Sequence, residues 1–377
     1  MTKWKIPLFK IHWNKDDVNS VATIIKKGMY WATGPEIIEF ENKISNYIGR
    51  KYSVTFNSGT SALHASLLSY KIERGNEIIV PSFSFISTAN APLFVGAKPI
   101  FADIEDQTFG LDPEDVKEKI NNRTKAIIPV HYGGSPCLIR ELKEIAEDYN
   151  LILIEDCAEA FGAKIKNMKV GTYGDSSMFS FCANKVISTG EGGAITTDSK
   201  KIYEKLKLLR SHGRDENSNY FSSTEQMAYI SLGFNYRLSN ITASLGISQI
   251  NKVDEIIEMR RNRAAYITSK MHEIKEVITP ISLDEYFNVY QLYSIRVNAK
   301  LRDKLSKYLA EAGIMTKVYF SPIHKTRFYL KNLETTPKLP ITDKISGEIL
   351  SLPIYPDIKN AEITYICNKI NSFFKAD

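Results

Sequence analysis

The sequence predicts an α/β fold in which a mostly parallel sheet is covered by helices on both faces. From about residue 50 onwards, short apolar runs alternate with amphipathic stretches, as expected of strands separated by helices. One of these runs, LILIED at 151–156, is apolar until its acidic end, which is typical of a strand buried on both faces. Ligands of such folds bind beyond the carboxyl ends of the strands. The residues that follow each apolar run are therefore the first candidates for a functional site.

The predicted elements follow one another in a regular order. Strands are expected at KYSVTF (51–56), NEIIVP (76–81), KPIFADI (98–104), KAIIPVHYG (125–133), LILIED (151–156) and SSMFSFC (176–182). Helices are expected at SALHASLLSY (61–70), DPEDVKEKI (112–120) and IRELKEIAEDYN (139–150). This alternation is typical of βαβ units that build a parallel sheet.

After Asn240 the pattern changes to one long helical stretch that extends to about residue 275. It is followed by a strand-like run, a helix that ends on glycine and a final helix, at 290–297, 302–313 and about 360–374. We therefore predict a large domain over residues 1–250, which includes the N-terminal segment, and a smaller α/β domain over residues 251–377.

Composition and charge argue against several classes of protein. The net charge is +6, but lysine and arginine are spread along the chain without a block of like charges, which argues against a nucleic-acid partner. The four cysteines form no C-x-x-C pair and are too few for a disulfide scaffold. No apolar run approaches the roughly 18 residues of a membrane span. We expect a cytoplasmic protein that contacts neither nucleic acid nor membrane and holds no metal.

The segment NSGTSALHASL (57–67) joins a predicted strand to a predicted helix. Gly59 permits a close backbone approach, and Thr60 adds a hydroxyl where the free amides of a helix N-terminus favour an anion. The segment is therefore a candidate phosphate site. The alternative is an ordinary helix start, because serine and threonine are preferred caps in any case.

Asp156 stands where the run LILIED leaves the sheet, and Glu159 follows three residues later. An uncompensated carboxylate is avoided at so apolar an edge. We therefore expect Asp156 to have a cationic partner, such as a protonated ring nitrogen. The alternative for Asp156 is the N-cap of a helix.

The segment FSFCANKVISTGEGGAITT (179–197) places Lys185 between a buried strand and a glycine-rich turn. Partial burial lowers the pKa of a lysine, and a neutral amine can form a Schiff base. The alternative is a loop lysine that pairs with an acid, the commoner fate of lysine. In SFSFISTANAP (82–92), Phe83 and Phe85 are candidates for stacking on a planar ring, although core packing is the default for phenylalanine.

These features together suit one molecule. A phosphate cradle, an acid at a strand end, an aromatic face and a lysine match the phosphate, pyridine nitrogen, flat ring and aldehyde of pyridoxal 5'-phosphate. The combination of these four features is far more specific than any one of them.

The same residues carry a resemblance to a known family. ATGPEIIEFE (32–41), NSGTSALHASL, VPSFSFISTANAP, PIFADIE, IEDCAEAFGA, FSFCANKVISTGEGG and FNYRLSN (234–240) occur in the order found in that family. Over most of its length the sequence resembles the DegT/DnrJ/EryC1/StrS sugar aminotransferases. The resemblance implies the fold type I architecture, in which the large domain binds the cofactor.

The resemblance also implies roles for individual residues. Lys185 would form the Schiff base and carry the proton between substrate and cofactor, and Asp156 would pair with the pyridine nitrogen. The other implied cofactor contacts are Gly59, Thr60 and Ser180 at the phosphate, Glu159 near the 3-hydroxyl and Phe85 against the ring. Asn235 would reach the phosphate of the neighbouring subunit, which implies a homodimer with shared active sites.

Contacts with the substrates are implied for Thr33, Arg237, Lys317 and His324. Arg237 is the hypothetical partner of a glutamate carboxylate. Lys317, in MTKVYFSPIH (315–324), stands where the family often has arginine, whereas His324 keeps the family pattern.

The activity implied is amino transfer from L-glutamate to the C4 ketone of a nucleotide-linked 4-keto-6-deoxyhexose, with C3 amination as the alternative. Such aminosugars typically serve surface polysaccharides, including O-antigens. Family members that act as dehydratases replace the lysine by histidine, so the presence of Lys185 argues for a transaminase. Two further alternatives are a catalytically silent regulator that binds nucleotide sugars and a cofactor-free Schiff-base enzyme such as an aldolase.

Overall fold

The structure is a computed structural model that describes residues 4–215, 224, 226–333 and 335–375. Its strands are β1 (Tyr52–Phe56), β2 (Glu77–Pro81), β3 (Lys98–Ala102), β4 (Thr124–Ile127), β5 (Ile152–Asp156), β6 (Lys164–Ile165), β7 (Met168–Lys169), β8 (Ser176–Ser180), β9 (Gly193–Thr197), β10 (Tyr286–Phe287), β11 (Tyr293–Arg296) and β12 (Ile349–Leu352).

The helices are α1 (Lys15–Lys27), α2 (Pro35–Ile48), α3 (Gly59–Ser69), α4 (Ser87–Phe94), α5 (Pro113–Lys119), α6 (Ile139–Asp148), α7 (Lys200–Arg210), α8 (Asn240–Ile250), α9 (Val253–Met271), α10 (Ala299–Glu311), α11 (Arg327–Asn332), α12 (Pro340–Glu348) and α13 (Asn360–Lys375). Within the described residues, none of them has the length and apolar character needed to cross a bilayer.

A seven-stranded sheet with the order β1-β9-β8-β5-β4-β2-β3 forms the centre of the fold. Strands β3, β2, β4, β5 and β8 run parallel to one another, whereas β9 is antiparallel to both β8 and β1. The prediction of a mostly parallel sheet is confirmed.

Helices cover both faces of this sheet. Ile78 and Val80 of β2 pack in a buried cluster with side chains of α3, α4 and α7. Ile79, between them, packs in a second buried cluster with α5 and α6. Because successive side chains of a strand point to opposite faces, a strand covered on both sides is apolar throughout. This explains the continuous apolar runs in the sequence.

The predicted helical stretch from residue 240 to 275 is divided into α8 and α9 by a turn at residues 251–252. Helix α8 packs against α1 and α2, whereas α9 packs against α13. The first turns of α9 share a buried cluster with α8, whereas Ala264, Ile267 and Met271 of α9 pack in a second cluster.

The C-terminal elements form a separate apolar cluster around β11, β12, α9, α10 and α13. Ile6 joins this cluster, and its backbone pairs with the segment around Ile314. Conversely, Ile323 and Tyr329 belong to the cluster on the α3 and α4 face of the large sheet. The division into residues 1–250 and 251–377 stays a prediction.

The buried carboxylate of Glu155, in β5, fixes the segment that leads from β7 into β8. It accepts hydrogen bonds from the backbone amides of Gly171, Tyr173 and Gly174, at 2.7, 2.7 and 2.8 Å. His131 Nδ1 accepts from a backbone amide, so its Nε2 donates to Glu155 at 3.1 Å. Burial raises the pKa of Glu155, but these donors hold it below its usual range.

Glu155→Gln is expected to lower the free energy of unfolding by about 3 kcal/mol, because the amide places a donor against buried N–H donors. The pKa of Glu155 is lowered in the folded protein, so its contribution is complete above the ordinary glutamate pKa. It is lost as the pH falls through the lowered value. Urea unfolding of both proteins between neutral and acidic pH tests this expectation.

The matched control is Glu114→Gln, since Glu114 is exposed and its carboxylate pairs with the surface residue Lys117 at 2.8 Å. This change is expected to cost about 0.5 kcal/mol or less. An equal cost at the two glutamates would contradict the structural role of Glu155.

Candidate active site

A cavity of about 420 Å³ opens at the carboxyl ends of β1, β2, β5 and β8. Each of these strands is followed by lining residues, as the rule for open α/β sheets predicts. The residues proposed from sequence that line the cavity are Gly59, Thr60, Phe85, Asp156, Glu159, Ser180, Lys185 and Lys317. The structure therefore brings together eight residues that are spread over more than 250 positions of the sequence.

The N-terminus of α3 forms one end of the cavity. Ser58 caps the helix by accepting a hydrogen bond from the amide of Ser61 at 3.1 Å, so the cap interpretation holds. The cavity-side first turn also carries Gly59, where an added Cβ would lie 3.1 Å from Met178 Sδ and 3.3 Å from Ser180 Cβ. The missing side chain leaves a small cradle at a helix N-terminus, which fits a phosphate group.

Asp156 lies at the floor of the cavity and is buried. Its Oδ2 accepts a hydrogen bond from Thr88 Oγ1 at 2.8 Å, and its Oδ1 accepts one from the amide of Ala158 at 3.1 Å. Burial raises the pKa of Asp156 above its usual range, although these two donors counteract part of the effect. A cation placed against this carboxylate would lower that pKa, which fits a protonated pyridine nitrogen.

Lys185 and Glu159 face each other across the cavity wall. Lys185 Nζ lies 3.5 Å from Glu159 Oε1, and the lysine side chain is only 13% exposed. Glu159 Oε2 accepts the amide of Gly133 at 2.9 Å, which fixes the carboxylate. Lys185 does pair with an acid, as the alternative interpretation expected, but the pair lies within the cavity instead of on an open surface.

Aromatic side chains line another wall. Phe85 is 59% exposed although it is a large apolar residue, and its ring centroid lies 6.4 Å from that of Phe320. Phe83, two residues earlier, is fully buried in the core. Of the two phenylalanines considered from sequence, only Phe85 is therefore available to a ring in the cavity.

Thr88 and Tyr319 are among the lining residues that escaped the sequence analysis. Thr88 lies within the segment SFSFISTANAP, but its hydrogen bond to Asp156 joins residues 68 positions apart that only the tertiary fold brings together. Tyr319 follows Lys317 in the chain, and Lys317 Nζ lies 4.9 Å from the Tyr319 ring centroid. In the sequence, the one sign of a place for Tyr319 in the cavity is its position two residues after Lys317.

The remaining proposed residues lie outside the lining of this cavity. Thr33 and Arg237 line a second cavity of about 330 Å³, and Arg237 Nη1 donates to Ser211 Oγ at 3.3 Å. The backbone of Asn235 pairs with Ser211. His324 is almost fully buried, and its Nδ1 lies 2.7 Å from Ser82 Oγ. His324 is not among the described residues that line the cavity, and its substrate role stays a prediction.

The whole chain is similar to aminotransferases of known sequence. Residues 12–371 match the DegT/DnrJ/EryC1/StrS aminotransferase family. An uncharacterized protein of Methanocaldococcus jannaschii is 37% identical over 375 residues, which are 97% of this chain and 96% of that protein. GDP-perosamine synthase of Escherichia coli O157:H7 is 36% identical over 342 residues, which are 90% of this chain and 91% of that enzyme.

A solved structure shows the same fold. Helicobacter pylori PseC, described as an aminotransferase involved in the biosynthesis of pseudoaminic acid, superimposes with a TM-score of 0.92 at 28% identity. The match covers 99% of this chain and 100% of that one. The predicted fold class, that of a fold type I aminotransferase, is confirmed.

Gly59→Ala is expected to weaken the binding of pyridoxal 5'-phosphate about tenfold or more, because the new methyl group occupies the cradle (about 1.4 kcal/mol for tenfold). The helix should be kept, since alanine favours a helix over glycine and the flexible side chain of Met178, 3.1 Å from the new Cβ, need shift by only a few tenths of an ångström. Equilibrium dialysis with the cofactor measures the affinity, and thermal unfolding measures the stability.

Gly347→Ala in α12 is the matched control, because its added Cβ would make an ordinary contact of 3.5 Å with Ala299. It should leave cofactor binding unchanged. Unchanged binding by Gly59→Ala as well would show that the phosphate is held elsewhere.

Proposed function

Because the chain belongs to the DegT/DnrJ/EryC1/StrS aminotransferase family, it is an enzyme that transfers amino groups. We propose that it moves the amino group of L-glutamate to the C4 ketone of a nucleotide-linked 4-keto-6-deoxyhexose, with pyridoxal 5'-phosphate as cofactor. The observation that carries this proposal is the single cavity that contains Lys185, Asp156 and the cradle at Gly59.

The cavity offers a partner for each part of the cofactor. We assign the phosphate to the end of the cavity at α3, the ring to the aromatic wall and the pyridine nitrogen to Asp156. The residues proposed to hold the group are Gly59, Thr60 and Ser180 at the phosphate, Phe85 against the ring, Glu159 at the 3-hydroxyl and Asp156 at the nitrogen. A bound pyridoxal 5'-phosphate supplies an aldehyde that takes up the amino group and a ring that accommodates the electron pair of the substrate carbon.

Two side chains would do the chemical work of the protein. The carboxylate of Asp156 is proposed to keep the ring nitrogen protonated by its negative charge in a buried setting. Lys185 is proposed to anchor the cofactor, to accept the proton that leaves the substrate carbon and to return it in the second half of the reaction. The pairing of Lys185 Nζ with Glu159 Oε1 at 3.5 Å holds the amine inside the cavity.

The nature of the sugar is supported by sequence similarity. The segments ENKISNYIG, IEDCAEAFGA and FSFCANKVISTGEGG resemble family members that act at C4 of 4-keto-6-deoxyhexoses. The name of the E. coli relative, GDP-perosamine synthase, favours GDP as the nucleotide. Amination at C3 is the second candidate, because enzymes of that type share nearly every motif. Lys317 at the cavity rim is the residue proposed to contact the sugar nucleotide.

A homodimer is part of the proposal. Asn235, Arg237 and Thr33 lie outside the cavity of their own chain, so the roles implied for them require a second copy. Close to Asn235 in the sequence, Tyr229, Ile230 and Leu232 are large apolar residues that are 60%, 62% and 83% exposed. A second copy that covers these side chains would bring Asn235 to the partner's cavity. A cytoplasmic location, expected from the cysteine content, stays a prediction.

Lys185→Ala is expected to abolish amino transfer, because no other group at this position can anchor the cofactor or carry the proton. The variant should still bind the amine form of the cofactor, pyridoxamine 5'-phosphate, which needs no lysine bond. Amino transfer is measured from the 2-oxoglutarate formed in quenched reactions. Binding of pyridoxamine 5'-phosphate is measured by equilibrium dialysis.

Lys200→Ala is the control, since Lys200 lies on the surface of α7 near Glu204. It should keep full activity. Turnover by Lys185→Ala would overturn the assignment of the anchoring lysine.

The substrate is tested by offering the enzyme nucleotide-linked 4-keto and 3-keto sugars, each with GDP, UDP or dTDP, together with glutamate. We expect an amino product at C4 of a 6-deoxyhexose, identified by mass and NMR. A product at C3 would replace the first candidate by the second. Binding of nucleotide sugars without turnover of any of them would favour the silent regulator.

A further inference from the structure

Two buried hydroxyl groups at the cavity form a chain of hydrogen bonds that ends on Asp156. Ser84 Oγ lies 2.9 Å from Thr88 Oγ1, and Thr88 Oγ1 donates to Asp156 Oδ2 at 2.8 Å. All three side chains are buried. Ser84 and Thr88 come from the segment that enters α4, whereas Asp156 ends β5, so the chain connects two elements that the sequence separates by almost 70 residues.

The direction of these hydrogen bonds follows from the number of protons that Asp156, Thr88 and Ser84 can each donate. An ionised Asp156 has no proton to give, so Thr88 must donate its only hydroxyl proton to the carboxylate. The oxygen of Thr88 is then free to accept the proton of Ser84. Both hydroxyls therefore direct their positive ends towards Asp156, and the donation by Ser84 polarises Thr88 and strengthens its bond to the carboxylate.

The carboxylate needs this support because its surroundings disfavour charge. Burial raises the pKa of Asp156, and the hydrogen bond from Thr88 is the strongest of the interactions that lower it. Of the charged groups in the cavity, which also include Glu191 and Lys317 at its lining, Lys185 lowers the pKa of Asp156 and Glu159 raises it. The hydroxyl of Thr88 is therefore well placed to determine whether the carboxyl group of Asp156 is ionised or protonated.

The first turn of α4 also touches the opposite end of the cavity. Ser87 Oγ lies 2.7 Å from Thr60 Oγ1, at the cradle on α3. Successive side chains of a helix point about 100° apart, so Ser87 and Thr88 reach different walls from adjacent positions. One turn of helix thus contacts both the proposed phosphate end and the proposed ring-nitrogen end.

We propose that Thr88, supported by Ser84, is a positioning residue that keeps Asp156 ionised and correctly oriented for a protonated ring nitrogen. The inference rests on the proposed function, because it assigns Thr88 a role toward the cofactor of that same cavity. Thr88 acts only through Asp156 and needs no contact with the substrate.

Thr88→Val tests the role because valine keeps the branched shape of threonine and removes the hydroxyl. The affinity of the variant for pyridoxal 5'-phosphate should fall about tenfold or more. Its affinity for the 1-deaza analogue, which has a C–H group in place of the ring nitrogen, should be unchanged. Thr88→Ser, which restores the hydroxyl without the methyl group, should recover most of the lost affinity. Equilibrium dialysis of the wild type and each variant measures these affinities.

Thr196→Val is the matched control. Thr196 is fully buried on β9, and its hydroxyl lies 2.6 Å from Ser177 Oγ, away from the cavity lining. This change removes a hydrogen bond of the same kind and should leave both affinities at the wild-type value. The pH dependence of the visible absorbance of the bound cofactor gives a second readout, which only the Thr88→Val change should shift.

An equal loss of affinity for the cofactor and its 1-deaza analogue would overturn the inference, because the effect would then not involve the ring nitrogen. Failure of Thr88→Ser to recover affinity would also contradict it, and this variant keeps the test open should Thr88→Val not fold. If the wild-type protein bound neither compound, the proposed function itself would be wrong and the inference would fall with it.

Discussion

The arrangement of the site depends on one buried charge, the carboxylate of Asp156. Removing an ion from water is costly unless hydrogen bonds and an opposite charge compensate. The protein supplies a hydroxyl from Thr88 and an amide from Ala158, but burial still raises the pKa of Asp156. A cationic ring nitrogen would complete the compensation. Binding of a cationic ring nitrogen would therefore stabilise the buried carboxylate of Asp156, and the proposed amino transfer requires the same ring nitrogen.

The parallel sheet is what brings the other groups to this carboxylate. Neighbouring parallel strands end at the same edge, so short connections from β1, β5 and β8 deliver the cradle at Gly59, the carboxylate and Lys185 to one cavity. Successive side chains of β5 point in opposite directions, so neighbouring acidic residues of this strand have different roles. Asp156 faces the cavity, whereas Glu155 points the other way and fixes the backbone of residues 171–174.

The sequence predicted those parts that depend on local pattern. Uninterrupted apolar runs identified the strands, and the residues just beyond them included Asp156 and Lys185. Thr88 could not be found in this way, because its partner lies on a strand almost 70 residues away and only tertiary packing joins them. Arg237 and Thr33 line a different cavity of the same chain, a placement that depends on the tertiary fold, and their substrate roles stay predictions.

The most direct test of the account is to identify the lysine that bonds to the cofactor. The purified protein would be loaded with pyridoxal 5'-phosphate, reduced with borohydride to fix the bond, digested and mapped by mass spectrometry. The account predicts that the peptide containing Lys185 carries the label and that prior incubation with glutamate prevents labelling. Labelling of another lysine, or of none, would contradict it.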